Sequence, residues 1–161
     1  MPATTTTREA IALAGAVGAG GDLVLGAAIR DPAVVARYRA KIVDDVDGSG
    51  CWWWTGALSG RGHGRFWVAG PRVVIAHRFG FALEHGAAAL AGARVLGHRC
   101  DNPLCQRIGP GHVVVSSPEE NRREWAIRRH LAGSPVGDRR GSRERAVVMR
   151  NLVRRDPQLL A

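Results

Sequence analysis

Between His98 and Asn121 the chain reads HRCDNPLCQRIGPGHVVVSSPEEN. Two of the three cysteines and two of the six histidines fall in this stretch. A hydrophobic core needs none of these residue types at such density, so the stretch is read as a site. Thiolate sulfur and imidazole nitrogen suit a transition metal such as zinc. A separate imidazole suits proton transfer near neutral pH.

Cys100 and Cys105 flank Asn102-Pro103, a pair that bends the chain tightly and lets two thiolates converge on one ion. His112, just ahead of an apolar run, can supply nitrogen, and Cys51 is the only thiol elsewhere in the chain. Three sulfurs and one nitrogen make a closed tetrahedral site, the usual form of structural Zn2+. The competing reading is three reduced, buried cysteines. His98 and Asn121 stand at the two ends of the stretch. A phosphodiester hydrolase needs a base to activate water and a cation to stabilise charge on phosphate and leaving oxygen. Neutral His98 suits the first role. The Asn121 amide suits Mg2+, which keeps several waters and takes few protein ligands. The alternatives are His98 as a fourth zinc ligand, Asn121 as a helix cap, and Glu119 or Glu120 as the metal ligands.

These side chains need elements to hold them. Residues 95–98 and 113–115 read as two short strands on either side of the cysteine loop. Ser117-Pro118 then opens a helix running from Glu119 to about Leu131, with proline and acidic residues in its first turn. Upstream, Cys51-Trp-Trp-Trp54 reads as an aromatic strand and Gly60-Arg-Gly-His-Gly64 as a turn. Arg65–Val68 and Arg72–Ile75 read as strands joined at Ala69-Gly70-Pro71, and Ala76–Glu84 as a helix. Trp52, Trp53, Trp54 and Trp67 are expected in the core rather than as base-stacking platforms. Before them, residues 1–7 are expected to be disordered. Residues 8–17 read as an Ala-rich helix, and Ala33–Val43 as a helix capped by Asp31-Pro32. A polar linker over 133–141 leads to a basic helix, Ser142–Arg155, whose apolar positions are Ala146, Met149, Leu152 and Val153.

His98, Cys100, Cys105, His112 and Asn121 together resemble the His-Cys box of homing endonucleases, within the wider HNH or His-Me finger nucleases. The upstream residues Cys51, Gly64-Arg65-Phe66 and Ala76-His77-Arg78 resemble the same family, so the similarity runs over roughly residues 51–129. It implies an α+β fold: a small zinc-stapled ββα-metal core with an upstream antiparallel β-sheet and flanking helices. By the same resemblance Cys51, Cys100, Cys105 and His112 hold zinc, His98 is the general base, and Asn121 is the magnesium ligand. Arg65 matches the family arginine at the scissile phosphate, with Arg61 or Arg72 able to take its place. Cleavage is expected to leave a 5′-phosphate and a 3′-hydroxyl. His77 also matches a family position, although a lone histidine after an apolar strand is more often structural. A second zinc site known in the family has no counterpart, since no cysteine follows Cys105.

The organisation expected is a helical N-terminal arm (1–50), a zinc-bound nuclease domain (51–132), and a linker with a basic C-terminal helix (133–161). The formal net charge is +9, and the balance is uneven. Residues 1–50 carry five basic against six acidic side chains, residues 51–118 seven against two, and residues 119–161 eleven against six. The positive field thus accompanies the Cys/His segment and points to an anionic partner. All basic residues but Lys41 are arginine, whose planar fork fits phosphate oxygens and guanine edges. Double-stranded DNA is the expected partner. The hairpin carrying Arg65 and Arg72 would lie in the major groove, and Arg61, Arg122, Arg123, Arg128 and Arg129 would flank the active site. The arginines of the last helix form either a second contact or a solvated face. Cutting both strands favours a homodimer. An odd cysteine count, no secretory pattern and no unbroken apolar span point to an intracellular, cytoplasmic protein, such as one encoded by a phage or another mobile element. The rivals are a non-catalytic zinc-containing DNA-binding protein, and an RNA-directed or toxin nuclease of the same fold.

Overall fold

A computed structural model describes residues 23–44 and 46–160. The disordered opening and the helix expected over 8–17 lie outside the described residues. A helix over residues 23–28 (α1) leads to α2 (Pro32–Arg39), where the Asp31 carboxylate accepts from the Ala33 amide at 2.8 Å and Pro32 occupies the first turn. This helix stops four residues earlier than the apolar spacing suggests. Ile42–Asp44 instead forms β1, antiparallel to β2 (Trp52–Trp54), with Ile42 opposite Trp54. The β-branched pair Ile42-Val43 fits a pleated surface against an aromatic partner. The Lys41 carbonyl is taken by the Thr55 amide at 2.8 Å, which seals the exit from the helix.

β3 (Arg65–Ala69) and β4 (Arg72–Ile75) form a hairpin with Arg65 opposite Ile75. β3 alternates strictly, with Phe66 and Val68 inward and Arg65, Trp67 and Ala69 outward. α3 (Ala76–His85) follows without a break, then α4 (Ala87–Gly92), a short Ala/Gly/Leu helix unmarked by any apolar pattern. β5 (Val95–His98) and β6 (Val113–Ser116) pair antiparallel, with His98 opposite Val113, and α5 (Pro118–Arg128) comes next. α6 (Ser142–Arg155) lies at the expected bounds and buries Ala146 and Val153. The protein is thus a small mixed α+β structure with three two-stranded antiparallel sheets among the described residues.

An aromatic cluster forms the core. Tyr38 of α2 lies 5.7 Å from Trp54, 5.4 Å from Phe66 and 4.9 Å from Phe79, ring centre to ring centre. Trp53 and Trp54 are buried, as expected. Trp52 and Trp67 are not: they are 39% and 50% exposed, Trp67 because the strict alternation of β3 turns it outward, and Trp52 at the open start of β2. Trp67 carries the Arg37 guanidinium at 4.4 Å over its ring. Gly64 allows the turn before β3 to lie on the core: a Cβ there would stand 2.6 Å from the Trp54 ring.

Candidate metal centre and adjoining cleft

Two loops and one strand edge bring the cysteines together. The segment after Pro103 runs alongside β2, with the Trp54 amide donating to the Leu104 carbonyl at 3.0 Å and the Gln106 amide to the Trp52 carbonyl at 2.8 Å. That pairing sets Cys105 beside Cys51, the residue before β2. The bend at Asn102-Pro103 is tight: the Asn102 side-chain oxygen accepts from the Leu104 amide at 3.1 Å, and its carbonyl from the Cys105 amide at 3.0 Å. His112 Nδ1 lies 3.6 Å from Cys105 Sγ and 3.8 Å from Cys51 Sγ. One ligand atom from each of Cys51, Cys100, Cys105 and His112 lies within 4.8 Å of the others. Cys51, Cys105 and His112 are buried, and Cys100 is half-buried.

The donor set fits zinc. Thiol hydrogen bonds from Cys100 and Cys105 hold Cys51 well below the ordinary thiol range. Contacts with Cys100 and Cys51 push Cys105 up. Crowding therefore favours one thiolate and opposes the next, an opposition that a divalent cation removes. Three sulfurs and one nitrogen in a mostly closed environment match structural rather than catalytic zinc.

A cleft of about 500 Å3 opens beside this centre, lined by Arg61, His63, His98, Asn121, Trp125 and Arg145 among others. His98 and Asn121, at opposite ends of the segment 98–121, thus line one cleft. His98 Nε2 lies 3.2 Å from the Cys105 carbonyl oxygen. A carbonyl only accepts, so Nε2 carries the proton and Nδ1 keeps the lone pair. Burial, and after it the nearby His63, push the His98 imidazole down to about 4. It is therefore neutral at pH 7 and able to accept a proton. Nor does His98 complete the metal centre, whose nitrogen comes from His112.

Asn121 is not the helix cap. Ser117 is, its hydroxyl accepting from the Glu120 amide at 3.1 Å while the Glu120 carboxylate accepts from the Ser117 amide at 3.0 Å. Glu120 is occupied by this capping box, and Glu119 pairs with Arg122 at 3.4 Å on the surface. The Asn121 amide oxygen lies against β5, 3.2 Å from where a Cβ on Gly97 would stand. Glycine just before His98 makes room for it.

Two cleft residues, His63 and Trp125, are absent from the site that the sequence suggests. His63 lay within what reads as a turn, yet its ring centre is 5.4 Å from those of both His98 and His77. Trp125 lies four residues after Asn121, a helical spacing that marks a shared face. His77 is buried, 4.5 Å from His98 in an edge-on arrangement, and its Nδ1 has no hydrogen-bond partner. Burial, then the neighbouring His98 and His63, hold His77 well below the ordinary imidazole range. Burial and Arg61 lower His63 as well.

The arginines divide. Arg61 lines the cleft; Arg65 and Arg72 are exposed on the hairpin and do not. Arg128 is half-buried, held by Asp101 at 3.0 Å and Glu124 at 3.2 Å. Arg129 stacks on Trp125 at 4.6 Å, and Arg123 is exposed. Arg78, part of the Ala76-His77-Arg78 run, and Arg94, unremarked in the sequence, line an adjoining depression with Arg61, His63 and His77.

No family model and no solved structure matches the chain. It is similar to two proteins of Escherichia phage T7. Protein 2.8 is 37% identical over 88 residues, covering 53% of this chain and 57% of that protein. Protein 7.7 is 34% identical over 78 residues, covering 48% of this chain and 56% of that protein. The chain thus spans little more than half the length of these relatives. No helix among the described residues is long and apolar enough to cross a membrane.

Proposed function

We propose that this protein is a DNA endonuclease of the ββα-metal type, stabilised by zinc and dependent on a divalent cation for cleavage. One observation carries the reading: His98 and Asn121 line the same cleft, beside a Cys3His centre whose Cys105 carbonyl fixes the His98 tautomer. The order β5, β6, α5 supports a ββα unit, with the cysteine loop between its strands and Asn121 in the first turn of its helix.

In this reading the His98 Nδ1 lone pair takes a proton from water as that water attacks the phosphorus of a bound phosphodiester; the bond from phosphorus to the 3′ oxygen breaks, and the leaving oxygen takes a proton from solvent to give the 3′-hydroxyl. The Cys105 carbonyl holds the ring in the orientation and tautomer that the step needs. Arg61 binds the phosphate oxygens on which charge develops, its fork suited to two of them. Asn121, on the cleft wall with His98, would hold Mg2+ through its amide; a single neutral ligand suits a cation whose other positions go to water and phosphate. When bound, the cation supplies positive charge at the leaving oxygen. Cys51, Cys100, Cys105 and His112 would hold zinc and take no part in the chemistry. Double-stranded DNA is the substrate that the arginine-rich surface favours. The similarity to two phage proteins supports a phage or mobile-element setting.

The test is relaxation of supercoiled plasmid in magnesium. Wild type should nick it, and His98→Ala and Asn121→Ala should each lose at least about a hundredfold in rate, in the range of removing a general base or a charge-stabilising group. Both variants should retain one zinc per chain. Nicking by His98→Ala at the wild-type rate, or no cleavage by wild type with any divalent ion, would overturn the proposal. The second result, with DNA still bound, is what a non-catalytic zinc-containing DNA-binding protein would give.

A further inference from the structure

α5 turns Trp125 into the cleft wall one helical turn beyond Asn121. The indole is 49% exposed, although a core this small has use for every large aromatic it can bury. No residue of α5 is buried, so packing does not dictate a tryptophan there. The ring is nonetheless braced, with the Arg129 guanidinium 4.6 Å from its centre. Around it, Arg61 and Arg145 supply positive charge to the cleft. Asp101, the acidic residue of the lining, is engaged by Arg128. An exposed aromatic face among phosphate-binding cations is the combination that holds single-stranded nucleic acid, stacking for the base and charge for the backbone. At about 500 Å3 the cleft matches a small-ligand pocket rather than a groove that seats a duplex.

We propose that Trp125, stiffened by Arg129, stacks a nucleobase unstacked from its neighbours next to the scissile phosphate, so that the strand entering the cleft is single-stranded or locally opened DNA. The proposal rests on the nuclease reading above and narrows its substrate. A base held in this way fixes the position of the adjoining phosphate relative to Asn121, four residues earlier on the same helix face.

The experiment uses zinc-loaded His98→Ala protein without added magnesium, so that DNA is bound but not cut. Its probes are a fluorescein-labelled 12-nucleotide oligo(dT) and a hairpin duplex with the same label, read by anisotropy. Adding Trp125→Ala should weaken oligo(dT) binding about tenfold or more, the loss expected for one base–aromatic stack, and change duplex binding less than about twofold. Trp125→Phe should retain most of the affinity, and tryptophan fluorescence should be quenched by oligo(dT) in the parent but much less in Trp125→Ala. Because Trp125 is half-exposed and lies outside the core cluster, the variant should melt within a few degrees of its parent. Equal weakening on both probes, or none on oligo(dT), overturns the stacking role while leaving the nuclease reading in place. Failure of the parent to bind either probe overturns both.

Discussion

The Cys105 carbonyl joins the two halves of the site at the level of single atoms. Its thiol faces the metal centre, while its backbone oxygen fixes His98 Nε2 at 3.2 Å. In the proposed nuclease, the choice of arginine for the phosphate is open to the same kind of argument. Family resemblance favours Arg65, but Arg65 projects from the outer face of β3, whereas Arg61 lines the cleft with His98. Arg61→Ala should therefore slow single-turnover cleavage by about a hundredfold or more, the cost of losing one donor at developing charge. Arg65→Ala should act mainly on binding, weakening DNA affinity less at high salt than at low. A larger loss of cleavage rate from Arg65→Ala than from Arg61→Ala would return the role to the hairpin.

α5 is held in an unusual way for a helix that carries a site. It buries no side chain, and its links to the cysteine loop run through charged side chains: Arg128 with Asp101 at 3.0 Å and with the Arg99 carbonyl at 3.4 Å, and Glu124 with Arg99. Its N-terminal turn, which positions Asn121, relies on the Ser117–Glu120 capping box. Ser117→Ala should cost about 1 kcal/mol of local stability. With so little packing behind it, this should appear as faster amide hydrogen exchange confined to the first turns of α5; unchanged exchange there would mean that something other than the cap holds the helix. Elements like these show what the sequence makes legible. α6 could be read in full because Ala146, Met149, Leu152 and Val153 repeat at helical spacing, and β3–β4 because apolar residues alternate around a Gly-Pro turn. The end of α2 could not, because it is decided by β1 pairing with Trp52–Trp54, a contact between distant segments. The same holds within the site. Cys100, Cys105 and His112 announce themselves by local spacing, and Cys51 enters only by elimination. His63 is silent, because its place in the cleft depends on Gly64 lying against Trp54 across the core. Trp125 had a signal, its spacing from Asn121, but one that has meaning only once Asn121 is read as more than a cap.

Across the whole molecule, a metal ion held by the four ligands would reinforce the pairing of β2 with the segment after Pro103 and extend it to β5 and β6. Cys51 precedes β2, Cys100 and Cys105 sit in the loop after β5, and His112 leads into β6. An ion at this point would staple the aromatic core to the segment running from β5 to α5. Structural zinc in small domains contributes on the order of 10–16 kcal/mol at neutral pH. That equals or exceeds the roughly 5–15 kcal/mol by which a whole domain is stable. Chelation should therefore unfold the region from β5 to α5 rather than merely loosen it. Removing zinc should release one ion per chain to a colorimetric indicator, lower the melting temperature by tens of degrees or abolish the transition, and eliminate DNA cleavage even in excess magnesium. Cys105→Ser should behave as the chelated protein does, whereas His98→Ala should keep both zinc and the wild-type melt. The contrast separates a staple from a reacting group. A chelated protein that melts where the zinc-bound one does would show that the four ligands converge for packing alone, with the aromatic cluster of Tyr38, Trp54, Phe66 and Phe79 sufficient to hold the fold.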